Sequence, residues 1–177
     1  MSDTVVTIIA IFLAAILMFI FPLLSVAERS DDVSQLAVQT ATTEFVDKSR
    51  AVGAITMDNY TKLVNTIDST GNTYEVEMEV KVLDENVGKK SAWTQGTVIG
   101  ENVYYSVYTA QILEEIQANG GRGVYNMKEG DILSVSVKNT NKTLSQTIRG
   151  VFYSMSGGDV YSIAAQHSGV VTATGSK

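Results

Sequence analysis

The sequence of 177 residues contains no cysteine, one histidine and one proline. The absence of cysteine excludes disulfide bonds, thiolate nucleophiles and cysteine-ligated metals. A single histidine, His167, argues against a zinc centre or a histidine-dependent catalytic site. Basic residues are also few, since 13 Lys and Arg against 19 Asp and Glu give a formal net charge of −6. We therefore expect no nucleic-acid partner, because phosphates require a basic surface.

The sequence also lacks residue groups that could form a catalytic, phosphate-binding or calcium site. Glu114 and Glu115 are adjacent on a predicted helix, where neighbouring side chains point about 100° apart, so they do not form a catalytic pair. The glycine-rich stretch 120–123 follows a helix and lacks the Lys-Ser/Thr of a phosphate-binding loop. The acidic turn at 84–86 offers too few ligands for calcium. The sequence predicts neither an enzyme nor a cofactor or metal site.

What the chain does contain is a long apolar run near its start. The run AAILMFIFPLLSVA lies within the uncharged stretch Thr4–Ala27, which as a helix would be roughly 36 Å long and could cross a membrane. A cleaved secretion signal is one alternative, because Ser25-Val26-Ala27 has the small-x-small pattern of a cleavage site. Such signals begin with basic residues, however, whereas this chain begins Met1-Ser2-Asp3. A membrane anchor and the core helix of a polymer remain.

The helical pattern continues beyond the apolar run. No glycine or proline occurs from Leu23 to Val52, so we expect one helix from Ser2 to about Arg50, close to 75 Å long. Its second half is amphipathic, and the face predicted to pack on a globular head contains Val33, Leu36, Ala37, Ala41, Phe45 and Val52.

The rest of the chain predicts an α+β head with a small, mostly antiparallel sheet and short helices. Apolar residues alternate with charged residues in the strand YEVEMEVKVL and with serines in the strand GDILSVSV. Helices are predicted to follow caps at Thr56 and Thr143 and to run over SVYTAQILEEIQA, and one or two strands come last. The helix after Thr143 is expected to have four residues on its inner face: Leu144, Ile148, Phe152 and Met155. The tyrosines of the YYSVY stretch suit either contacts between subunits or packing within the sheet.

This organisation resembles the type IV pilin family with its Tad-type and archaeal relatives. The resemblance covers about the first 50 residues. Family members commonly have a proline about six turns into the apolar half, and Pro22 has that position if Met1 is the mature N-terminus. Many members have a glutamate where this chain has Val5. Asp3 is the nearest acid and a candidate for pairing with a neighbouring subunit's N-terminal amine.

The resemblance implies three segments: 1–27, a filament-core or transmembrane helix; 28–54, the amphipathic continuation; and 55–177, the head. It implies a structural subunit of an extracellular surface filament, inserted in the membrane before assembly, whose partners are copies of itself and the pilus assembly machinery. Pro22 would kink the helix. The expected filament-core residues are Val5, Ile9, Phe12, Ile16, Phe19 and Leu23. The alternative is a non-polymeric, single-pass anchored accessory protein of a secretion or conjugation apparatus.

Overall fold

A computed structural model describes residues 2–83, 104–118, 123–153 and 162–175. The expected α+β fold is confirmed: a long N-terminal helix precedes a small antiparallel sheet and short helices. The first helix, α1 (Ser2–Val52), has 51 residues and continues through Pro22. The remaining described elements are β1 (Ala54–Thr56), α2 (Met57–Asp68), β2 (Tyr74–Leu83), β3 (Tyr104–Tyr108), α3 (Thr109–Ala118), β4 (Val124–Asn126), β5 (Ile132–Asn139), α4 (Leu144–Tyr153) and β6 (Ala164–Val170).

The four-stranded sheet has the order β3-β2-β5-β6, and every neighbouring pair is antiparallel. Met78, Val135 and His167 lie side by side across three strands. The predicted alternation in β2 and β5 is confirmed, because Met78, Val80, Leu133, Val135 and Val137 are buried in one core with side chains of α1, α2 and α3 while their polar neighbours face away. A two-stranded ribbon of β1 and β4 completes the described sheets.

Both predicted helix caps are confirmed. The Thr56 hydroxyl accepts a hydrogen bond from the Asn59 N–H at 3.2 Å at the start of α2. At α4 the Thr143 hydroxyl accepts from the Gln146 N–H at 3.3 Å, and the Gln146 Oε1 accepts from the Thr143 N–H at 3.0 Å. This reciprocal pair satisfies two backbone donors at once, as a capping box does.

Two expectations about the head are wrong. The helix predicted from Ser106 begins at Thr109, because Val107 pairs with Val80 as part of β3. Leu144, expected on the inner face of α4, is exposed, while Ser145 is buried against α1. Of the other residues predicted on that face, the side chain of Phe152 and all of Met155 lie outside the described part of the chain.

Candidate functional site

The apolar first half of α1 projects from the head with its side chains exposed. All six expected filament-core residues are exposed, with relative accessibilities between 45% and 73%: Val5, Ile9, Phe12, Ile16, Phe19 and Leu23. Residues on other faces, such as Ile11 and Met18, are exposed as well. The most apolar window of this helix has a mean hydropathy of 2.9, and none of it is buried. By length and composition, α1 could cross a membrane.

The head begins to cover α1 at Ala27, the first buried side chain of the helix, and the first contacts after it are polar. Glu28 forms an ion pair with Arg149 of α4. The Asp31 carboxylate accepts hydrogen bonds from the hydroxyls of Thr143, at 2.7 Å, and of Ser145. These contacts fix α4 against α1 where the exposed half of the helix ends.

One turn further, Gln35 connects α1 to the start of β6. Its amide nitrogen donates to the Ala164 carbonyl at 2.7 Å, and its amide oxygen accepts from the Ala164 N–H at 3.0 Å. A side-chain amide thereby satisfies both backbone groups of a residue at the sheet edge, where they would otherwise lack a partner in the ladder.

Beyond Gln35 the contact between α1 and the head becomes apolar. Val38 and Val46 are fully buried, and Phe45 packs with them on the sheet. Of the face predicted from sequence, Ala41 and Phe45 are indeed buried.

Three other residues of that predicted face are wrong, because Val33, Leu36 and Val52 are exposed. Ala37 is half-buried. Compared with the predicted orientation, α1 is rotated about its own axis, so that Ser34 and Thr42 face the head. Their hydroxyls can be buried because each donates to a carbonyl one turn back in the same helix, at 2.9 and 2.7 Å.

The two other predicted positions in the apolar half, Asp3 and Pro22, lie near its beginning and near its end. Asp3 is in the first turn of α1, where a negative charge interacts favourably with the helix dipole. Its backbone carbonyl accepts a hydrogen bond from the Thr7 hydroxyl at 2.7 Å. Pro22 is exposed within the helix. The kink at Pro22 and the amine pairing of Asp3 stay predictions.

The single histidine has an acidic partner that sequence reasoning missed. His167 Nε2 is 3.4 Å from Asp47 Oδ1, and Arg50 Nε is 2.9 Å from the same oxygen. The hydrogen bond from Arg50, and to a lesser degree that from His167, holds the pKa of Asp47 below its usual value. All three side chains are more than a third exposed, so this is a surface cluster of polar side chains that joins α1 to β6. Among the described residues, no group of His, Asp or Glu side chains is placed to hold a metal ion.

The tyrosines of β3 lie at an edge of the sheet. Tyr104, Tyr105 and Tyr108 are all exposed on this edge strand of the described sheet, so none of the three belongs to the buried core. By contrast, Tyr125 of β4 is buried, and burial raises its pKa to about 12, with smaller effects of Glu115, Tyr105 and Asp131.

The chain matches no protein-family model, no curated protein and no solved structure.

Proposed function

We propose that this protein is a structural subunit of an extracellular helical filament, in which copies associate through the apolar half of α1. The observation that carries the proposal is one continuous helix with two environments. Its first half is apolar and exposed on all sides, and its second half forms part of the core of the head. An apolar helix exposed on every side requires lipid or other apolar helices around it.

The energetics favour assembly from the membrane. Lipid and neighbouring helices are equally apolar, so transfer from one to the other is driven by packing shape rather than by the hydrophobic effect. Once the filament is in water, re-exposing each large side chain costs about 2 kcal/mol. The six expected core residues would together contribute on the order of 10 kcal/mol per subunit against dissociation.

A non-polymeric membrane anchor is the second candidate function. It is favoured by the same exposed segment, which has the length and composition of a single span. The head would then bind a partner at the membrane surface. The two candidates differ in whether copies of the chain associate.

Electron microscopy of material sheared from expressing cells tests the proposal. We expect filaments containing the wild-type chain, and far fewer with Phe12→Ala and Phe19→Ala, which remove ring volume but leave the segment apolar enough to insert. Met18→Ala is the matched control, since Met18 is as exposed as Phe19 but lies outside the expected core stripe.

Membrane fractionation of the same cells separates the two candidates. We expect all three variants to be membrane-inserted before assembly. Recovery of the wild-type chain only as monomer in detergent-solubilised membranes, with no filaments, would refute the proposal and favour the anchor.

A further inference from the structure

The outward face of α1 carries an apolar seam that continues past the end of the apolar segment. Val26, Val33 and Leu36 have relative accessibilities of 68%, 63% and 65%. Val33 and Val38 are five residues apart, about 140° around the helix axis, and Val38 is fully buried in the head. The helix therefore has two apolar faces in this region, and the described head residues cover only one.

The seam extends beyond the reach of a bilayer. At about 1.5 Å per residue, Val33 lies about 9 Å and Leu36 about 13.5 Å beyond Ala27 along the axis. The charged residues Glu28, Arg29, Asp31 and Asp32 lie between Ala27 and Val33. If lipid surrounds the helix up to Ala27, it does not reach Val33 and Leu36.

The spacing of the seam indicates that its partner is a helix. Apolar residues recur every seven positions and are all exposed: Val5, Phe12, Phe19, Val26 and Val33. A repeat of seven matches a second helix that coils around the first with a left-handed twist. Between Val26 and Val33 the same face carries the exposed charged side chain of Arg29, and the apolar row resumes at Val33 and Leu36 in the head-bearing part of α1.

We propose that this seam, at Val26, Val33 and Leu36, binds the exposed apolar half of α1 from a second copy of the chain. This inference rests on the proposed function, in which copies lie side by side. The partner half-helix is available because its own large apolar residues, among them Phe12 and Phe19, are exposed. With lipid around the helix up to Ala27, contacts at Val33 and Leu36 lie beyond the hydrocarbon core, so they form as copies leave the membrane, and they favour the assembled state.

Because the natural chain has no cysteine, disulfide cross-linking can test the seam cleanly. Val33→Cys would be made alone and together with Phe12→Cys, Phe19→Cys or Val26→Cys, and assembled material would be oxidised. At least one seam variant should give covalent multimers of the chain. Gln39→Cys, in the same combinations, is the control, because Gln39 is exposed on α1 but lies off the seam.

A substitution pair provides an independent readout. Leu36→Lys should reduce filament yield at least tenfold with membrane insertion and head folding unchanged, whereas Gln39→Lys should leave the yield near that of the wild type. Filaments that form normally with Leu36→Lys, or seam cysteines that join only another protein, would overturn the second-copy contact and leave the proposed function standing. Absence of any wild-type polymer would overturn both.

Discussion

Replacing Val38 with alanine should destabilise the head far more than the same change at Val33. Both are valines on α1, but Val38 is 0% exposed and Val33 is 63% exposed. The Val38→Ala change removes two buried methyl groups, each of which contributes about 0.8 kcal/mol of transfer free energy, and leaves a cavity among close-packed neighbours. We expect a loss of about 2–3 kcal/mol in the free energy of unfolding. At the exposed position the change should stay within about 0.5 kcal/mol.

Thermal and urea unfolding of the full chain in detergent would measure the difference. The detergent keeps the apolar half of α1 covered and the chain monomeric, so only contacts within the head are compared. A loss of 2–3 kcal/mol corresponds to a fall in Tm of roughly 4–12 °C for a domain of this size. Near-ultraviolet circular dichroism of the tyrosines reports tertiary unfolding of the head without interference from the helix in the micelle.

The outcome decides which face of α1 packs on the head. The sequence pattern predicts Val33 on the packed face, and the structure has Val38 there. Equal losses at both positions, or a larger loss at Val33, would refute the rotation of the helix and with it the outward seam.

Two further predictions concern polar contacts of the head. Asp131 is buried, and its carboxylate accepts from the backbone N–H groups of Leu83 at 2.9 Å and Lys128 at 2.8 Å. Asp131→Ala should therefore cost about 2–4 kcal/mol in urea unfolding and Asp131→Asn less, since the amide keeps one acceptor; equal losses would contradict this. The pKa of Glu44 is lowered by its hydrogen bond from Lys62, and that of Asp47 by its hydrogen bond from Arg50. A lowered pKa contributes stability above the usual carboxyl range, about pH 4, that is lost as the pH falls through the folded-state value. Unfolding midpoints measured from pH 6 to pH 3 should fall less steeply in a Glu44→Gln, Asp47→Asn double variant than in the wild type.

Sequence alone predicted the elements whose residue pattern is complete within the element itself. β2 alternates apolar and charged residues over its whole length, so both its identity and its buried face follow from a period of two. Likewise, α1 follows from a long stretch without glycine and with only one proline. The end of that helix was predictable because no proline follows Pro22 within it and the first glycine of the chain, Gly53, comes directly after Val52.

The elements that it missed depend on partners distant in the chain. Val107 could belong to a helix or to a strand by its own pattern, and its pairing with Val80 decides the matter. The rotation of α1 depends on Ser34 and Thr42, which a hydropathy pattern places toward solvent although their hydroxyls are satisfied within the helix. Asp31 meets Thr143 more than a hundred residues away, and no local signal in the sequence relates the two.

The rotation of α1 also bears on the choice between filament and anchor. A single exposed apolar residue is ordinary on a protein surface, and neither Val33 nor Leu36 alone would mean much. Both, however, lie on the same face as a row of exposed apolar residues that begins at Val5 and is broken by Arg29, and an extended apolar face of this kind is typical of an interaction surface. A membrane span accounts for the part of the row up to Ala27 and leaves Val33 and Leu36 in water, whereas association between copies accounts for the whole row. The Leu36→Lys and Gln39→Lys pair therefore tests whether copies of the chain associate beyond the apolar segment, while the presence or absence of wild-type filaments decides between the two functions.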